Sequence, residues 1–312
     1  MEKIKVLDGG FSTQLARYVG DIIDGDPLWS ARFLYTNPEA VINSHLDFLK
    51  AGAEIIITNS YQASISGFKE YLGCDETEGY DLIKSSVRFA KRARDLYLET
   101  NPGARPLIAG SVGPYGASLH DGSEYTGEYM DKVDKDAIMS WHRPRITGLI
   151  EEGVDLLAFE TIPAFKEGEF LLELLKEFPK QKAWLSFQCK NSEHTAKGEN
   201  FQEVIKKCWS MNKEQLVAVG CNCLSPKYVS KLFKGINENR TDKIPLIVYP
   251  NSGEEYIPNI GWFGNEKLFN MNKLFGEWFD YGVKYIGGCC RTNADDVKNI
   301  SNAVKQWNLK KK

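Results

Sequence analysis

The stretch Leu216-Val217-Ala218-Val219-Gly220-Cys221-Asn222-Cys223 is a short apolar run that stops on a glycine and turns polar. Four apolar residues bounded in this way fit a strand buried on both faces. The pattern recurs. Mainly apolar runs at 4–7, 54–58, 107–109, 156–159, 183–187, 216–219, 245–249 and 283–286 read as eight β-strands. Amphipathic helical stretches separate them. In the first, Asn37 is the N-cap, Pro38 takes the first helical position and Glu39 follows; Val41, Ile42, Leu46 and Leu49 form its apolar face, and Gly52 stops it. In the last, Asn293 is the cap, Asp295 and Asp296 lie in the first turn, and Val297, Ile300, Val304 and Trp307 face inward. It ends in Lys310-Lys311-Lys312, a charge that suits a helix C-terminus and reads as a solvated tail.

Eight strands alternating with helices over 312 residues predict an α/β fold, a single (β/α)8 TIM barrel spanning 1–312. A doubly wound sheet is the alternative. It is disfavoured because Gly9-Gly10-Phe11-Ser12, after the first strand, is not the G-x-G-x-x-G turn of dinucleotide folds. No linker, repeat or low-complexity segment divides the chain. The longer irregular stretches 19–36, 112–132 and 251–267 are expected as loops over one barrel mouth.

Barrel active sites lie at the C-terminal ends of the strands. Here those ends read Asp8-Gly9-Gly10, Thr58-Asn59-Ser60-Tyr61-Gln62, Gly110-Ser111, Glu160-Thr161, Gln188-Cys189, Asn222-Cys223, Pro250-Asn251-Ser252 and Cys289-Cys290. All eight are polar, as a shared site requires.

The cysteines carry the sharpest signal. Cys289 and Cys290 are adjacent and would face opposite ways in a regular strand, so they can share a metal only if the strand ends there, and Gly287-Gly288 supplies the freedom for that. Cys223 lies nearer the mouth than Cys221 and is the expected third ligand. Three thiolates select zinc over magnesium or calcium and leave a fourth position open, as in a catalytic zinc site. For Cys74, Cys189 and Cys208, burial as small core residues is the expectation. A redox dithiol is the competing reading for the cluster, weakened by the absence of C-x-x-C at a helix start.

Asp8 and Glu160 each follow an apolar strand. Two carboxylates at one mouth can hold an ammonium group or act as acid and base; helix capping or a structural hydrogen bond is the alternative for each. Asn222 and Asn251 can orient a substrate carboxylate or fix loop backbone. Trp29, Tyr61 and Tyr115 can line a cation pocket or simply pack. Of the histidines, His45 falls mid-helix and reads as structural, while His142 and His194 can approach the mouth. None is needed as a metal ligand.

Composition excludes other classes. A net charge of −3 with no basic stripe does not point to nucleic acid. No apolar run reaches the ~18 residues of a membrane span. The N-terminus runs straight into Asp8 with no apolar signal region, so the seven cysteines are expected reduced in the cytoplasm.

Taken together, Asp8-Gly9-Gly10, Gly220-x-Asn222-Cys223 and Gly287-Gly288-Cys289-Cys290 resemble the homocysteine S-methyltransferase family, from Asp8 to Arg291. That family includes betaine–homocysteine and S-methylmethionine–homocysteine methyltransferases and a domain of methionine synthase. The stretches Asp26-Pro27-Leu28-Trp29-Ser30-Ala31, Thr58-Asn59-Ser60-Tyr61-Gln62-Ala63, His142-Arg143-Pro144-Arg145-Ile146 and Phe159-Glu160-Thr161-Ile162-Pro163 resemble its S-methylmethionine and selenocysteine branch. The betaine branch carries a tyrosine where this chain has Gln62, and a C-terminal oligomerisation extension not found here. The resemblance implies zinc on Cys223, Cys289 and Cys290, with the homocysteine amino group between Asp8 and Glu160. Asn222, Gln62 and Trp29 complete the expected substrate site. It further implies small-molecule substrates and a monomer or weak homo-oligomer.

The implied reaction is methyl transfer from a sulfonium, S-methylmethionine or S-adenosylmethionine, to homocysteine. A free thiol has a pKa of ~8.5, so zinc is needed to keep it ionised. The donor loses its charge in the step, so its thioether leaves without a general acid. Selenocysteine is the alternative acceptor. A zinc-dependent hydrolase with Glu160 as base is a competing class, disfavoured because three thiolates weaken the Lewis acid. A zinc-storing or redox-sensing protein is another, disfavoured because it would not need eight polar strand ends.

Overall fold

A computed structural model describes residues 3–20, 22–257, 261–263 and 271–310. The strands are β1 (Lys5–Val6), β2 (Ile55–Ile57), β3 (Leu107–Val112), β4 (Leu156–Ile162), β5 (Ala183–Phe187), β6 (Leu216–Asn222), β7 (Leu246–Tyr249), β8 (Glu255–Ile257), β9 (Gly261–Phe263) and β10 (Val283–Ile286). The α-helices are α1 (Phe11–Val19), α2 (Phe33–Thr36), α3 (Pro38–Ala51), α4 (Ile65–Leu72), α5 (Glu76–Thr100), α6 (Lys135–Glu151), α7 (Phe165–Leu175), α8 (Phe201–Asn212), α9 (Val229–Phe233), α10 (Asn272–Tyr281) and α11 (Ala294–Lys310).

Eight strands pair in the order β1-β10-β7-β6-β5-β4-β3-β2. Every pairing is parallel. A parallel bridge from Leu7 to Ile55 joins the two ends of the sheet and closes the ring. The fold is the expected (β/α)8 barrel. Its interior is filled by Leu7, Ile55, Ala109, Leu156, Ala158, Trp184, Ala218, Ile247 and Tyr249. Small alanines make room for the indole of Trp184, so the barrel is a packed core rather than a pore. A larger apolar layer lies between strands and helices.

The cap signals hold. Asn37 Oδ1 accepts from Ala40 N at 3.2 Å and Gly52 turns left-handed at φ 103°. Asn293 Oδ1 accepts from Asp295 N at 2.8 Å, and Val297, Ile300 and Val304 are buried. Lys310 closes α11; Lys311 and Lys312 lie outside the described residues.

Three expectations need correction. β3, β4 and β6 run three residues past the apolar runs, to Val112, Ile162 and Asn222. Their polar ends still find ladder partners, so polarity does not end these strands. The stretch 251–267 is not a plain loop, because β8 and β9 pair antiparallel within it; residues 258–260 and 264–267 lie outside the described residues. Gly287 and Gly288 do not take left-handed φ. Their role is close approach: a Cβ at Gly287 would meet Asp8 O at 2.6 Å, and one at Gly288 would meet Thr292 Oγ1 at 2.2 Å.

Candidate active site

Strands β1, β4, β6 and β10 deliver their C-terminal residues to one cavity. It is lined by Asp8, Trp29, Tyr61, Tyr125, Glu160, Asn222, Cys223, Cys289 and Cys290, among others. The sulfurs of Cys223, Cys289 and Cys290 all lie within 4.8 Å of one another. Cys223 and Cys290 Sγ are 3.8 Å apart. Cys221, two residues back, is buried in the apolar layer instead.

The backbone is shaped to bring these sulfurs together. Cys223 sits at φ 54°, with its amide on Tyr249 O at 3.2 Å. Cys289 N donates to Pro250 O at 2.8 Å, and Arg291, at φ 65°, turns the chain away after Cys290. Gly10 is needed beside them, because a Cβ there would stand 2.4 Å from Cys289 O.

Hydrogen bonds among the three sulfurs push in both directions, the first of them lowering Cys223 and Cys290 and raising Cys289, and with burial and the neighbouring thiols' charge the net shift leaves all three well above the ordinary thiol range. Three cysteine sulfurs at this spacing are a soft donor set, and a thiophilic metal fits it. Tyr125 adds a hydrogen bond to Cys223. The sequence reading missed Tyr125, which lies in an irregular stretch with no periodic signal.

Both carboxylates are buried. Asp8 Oδ2 accepts from Ile57 N at 2.7 Å, and its Oδ1 has no partner. Burial lifts the Asp8 carboxyl well above the usual range; the Ile57 amide opposes this and Glu160 adds to it. Glu160 Oε1 accepts from Ser111 Oγ. Burial pushes Glu160 up to about 7, against hydrogen bonds from Ser111 and Tyr249. Two anions with raised pKa values in one cavity favour an incoming cation.

Glu160 is aimed by a bulge. The β4–β5 register shifts between Phe159 and Ile162, and Thr161 sits at φ 59°. A β-branched residue in this region is strained and must be held. Asn222 holds it: its Oδ1 accepts from Thr161 N at 2.8 Å and its Nδ2 donates to Thr161 Oγ1 at 2.8 Å. Asn222 Oδ1 also accepts from Ser186 Oγ at 2.8 Å. A polar path continues inward, from Ser186 to the Tyr249 hydroxyl at 2.7 Å and on to Trp184 Nε1 at 3.0 Å.

Trp29, at φ 46°, meets the Tyr61 ring edge-on at 5.9 Å. Gln62 is not part of the cavity lining. Its amide ties two loops together, donating to Pro27 O at 3.3 Å and Ala117 O at 3.1 Å. His142 does not reach the mouth: it is buried, 3.0 Å from Glu167. His194 contacts Asn191 and also lies off the lining. His45 is fully buried against Phe11 and held at about 3 by burial, so it stays neutral.

The model of the homocysteine S-methyltransferases matches residues 5–304. The chain belongs to the homocysteine S-methyltransferase family. It is 46% identical to the betaine-homocysteine S-methyltransferase of Drosophila melanogaster, over 98% of this chain and 96% of that protein. It is 40% identical to the homocysteine S-methyltransferase of Escherichia coli (strain K12), over 95% and 94%. The structure superimposes on the metallated form of the Escherichia coli homocysteine methyltransferase MmuM with a TM-score of 0.83, at 39% identity, covering 98% of this chain and 96% of that one. A homocysteine S-methyltransferase family member is an S-methyltransferase, so the hydrolase and storage readings fall away. Among the described residues no helix is long and apolar enough to cross a membrane.

Proposed function

We propose that this chain transfers a methyl group from an amino-acid sulfonium to the thiol of homocysteine, giving methionine, with zinc held by Cys223, Cys289 and Cys290. The observation that carries this reading is three sulfurs within 4.8 Å of one another in a cavity that also holds two buried carboxylates. A thiophilic dication on those sulfurs would supply what the thiols lack, an acceptor sulfur kept ionised at neutral pH.

The chain's own residues do the rest. Asp8 and Glu160 hold the acceptor ammonium; its arrival returns to both carboxylates the stabilisation that burial removed. Asn222 is a positioning residue, since it locks Thr161 and so the direction of Glu160. Tyr125 donates to Cys223 and tempers its charge. Trp29 and Tyr61 offer ring faces to a cationic donor. With thiolate and methyl held in line, the new S–C bond forms as the donor C–S bond breaks, and the electron pair leaves on a neutral thioether.

The test is methionine formation by reduced, zinc-loaded protein with S-methylmethionine, S-adenosylmethionine and betaine offered separately. Selenocysteine would be offered as a second acceptor. Betaine is the second donor reading, favoured by the name of the Drosophila relative at 46% identity. Turnover with a sulfonium supports the proposal; turnover with betaine alone replaces it.

Asp8→Ala and Glu160→Ala should each raise the homocysteine KM by roughly 10–100-fold, the worth of a charge-assisted hydrogen bond, with a smaller effect on kcat. Unchanged acceptor kinetics in both would remove them from the site.

A pH effect follows from Glu160. Its folded-state pKa of about 7 lies above the ordinary 4.5, so between these values the folded chain holds a proton that the unfolded chain has lost. Stability from this group is therefore present at low pH and falls as pH rises through about 7. In metal-free protein, Glu160→Gln should lose this decline, and the variant should gain on the parent from pH 5 to 8. A difference that stays constant with pH would refute the assignment.

A further inference from the structure

Two buried polar atoms beside the cavity make no hydrogen bond of ordinary geometry within the chain, although Tyr61 is close enough to the Thr161 side chain to be influenced by it. One is Glu124 Oε2, in the short turn Ser123–Tyr125; the other is the Tyr61 hydroxyl. Burial first, and then the charge of Glu124 ahead of those of Cys223 and Glu160, raises the Tyr61 hydroxyl well above its usual range. Tyr61 and Tyr125 both line the cavity; Glu124, the residue before Tyr125, is not itself in the lining but stands directly behind it.

The turn is built to stay in place. A Cβ at Gly116 would stand 2.8 Å from Glu124 N and 2.4 Å from the Tyr129 ring, so the glycine allows close packing. Asp121 Oδ1 accepts from Ser123 N at 2.9 Å. Among the described residues no ion pair neutralises Glu124. Burial lifts its carboxyl to about 7. Both residues are half-buried, but a carboxylate oxygen and a hydroxyl shielded from water without ordinary hydrogen bonds are costly unless a ligand satisfies them.

The ligand that fits is a group with several N–H donors and a positive charge. The acceptor ammonium is already matched to Asp8 and Glu160. We propose that Glu124, with the Tyr61 hydroxyl, binds the ammonium of an amino-acid methyl donor and so selects amino-acid sulfoniums over donors that lack an N–H. This rests on the sulfonium reading above. Betaine has no N–H, and it would bring a carboxylate toward Glu124.

The experiment uses zinc-loaded enzyme at saturating homocysteine. It compares kcat/KM for S-methylmethionine with that for dimethylsulfoniopropionate, a dimethylsulfonium carboxylate without the amino group. Glu124→Gln should lower that ratio by roughly 10–100-fold, and Tyr61→Phe by a smaller factor. Glu124→Asp, which keeps the charge, should recover part of it. The homocysteine KM should stay within about two-fold. A ratio unchanged in Glu124→Gln, or an equal loss with both donors, overturns the proposal while the sulfonium reading stands. A parent enzyme that does not turn over S-methylmethionine overturns both.

Discussion

Cys290→Ala should fold, carry almost no metal, and lose activity by on the order of 10³-fold or more. Folding should survive because Cys290 is a small buried side chain at the edge of the cavity, and alanine fills most of its volume. The metal should go because two sulfurs are left where the structure brings three within 4.8 Å. Cys221→Ala is the matched control. Cys221 is buried and two residues from Cys223, yet packs in the apolar layer, so its loss should leave metal content near one per chain. Metal content by mass spectrometry and methionine formation, measured on both variants, decide the matter. Full activity in metal-free Cys290→Ala would end the zinc mechanism.

Arg145→Met should produce the largest loss of stability. Arg145 is buried, and its guanidinium donates to four backbone carbonyls: Ala63 at 2.7 Å, Gly113 at 3.0 Å, Tyr61 at 2.7 Å and Ser60 at 3.3 Å. It lies 4.2 Å from the centre of the Trp141 ring. Burial pulls it down to about 9, and the nearby charge of Glu167 opposes that shift. Methionine matches the volume but leaves those carbonyls buried without donors and Glu167 without its cation. Breaking a buried charged network costs about 3–5 kcal/mol, which in a chain of this length lowers Tm by on the order of 10 °C. Because the carbonyls belong to residues 60–63 and 113, the donor side around Tyr61 should loosen before the cysteines do. Thermal melts and the donor KM test this together. A Tm within about 2 °C of the parent would show that the carbonyls find other donors.

The two variants divide what was legible in the sequence from what was not. The cysteines could be read because glycines and apolar runs place them at strand ends, and strand ends in a barrel share one mouth. Asp8 and Glu160 followed by the same logic, whereas Trp29, in the stretch between α1 and α2, was reachable only through its aromatic ring and the resemblance of the stretch 26–31. Arg145 could not be read this way. The stretch His142-Arg143-Pro144-Arg145 is conspicuous, but nothing local says that Arg145 reaches carbonyls more than 80 residues earlier. Gln62 was misleading for the opposite reason. It stands at a strand end, yet its amide turns away to join two loops. Tyr125 and Glu124 lie where neither period 2 nor period 3.6 operates, so their placement depends on packing against Gly116, Tyr129 and Tyr61. The hairpin of β8 and β9 pairs apart from the barrel sheet and therefore lacks the apolar run that marks the other strands.

Around the cavity, Trp29, Thr161 and Cys223 all hold backbone conformations that suit glycine or asparagine better. Each such residue costs about 1 kcal/mol or more. A directed-evolution campaign that screened for heat resistance alone would be drawn to these positions, since Thr161→Asn relaxes the backbone. It would also release the side chain that Asn222 grips and let Glu160 wander. Heat tolerance and turnover compete at these three residues, and a library that spares them can be pushed toward higher melting temperature without that conflict.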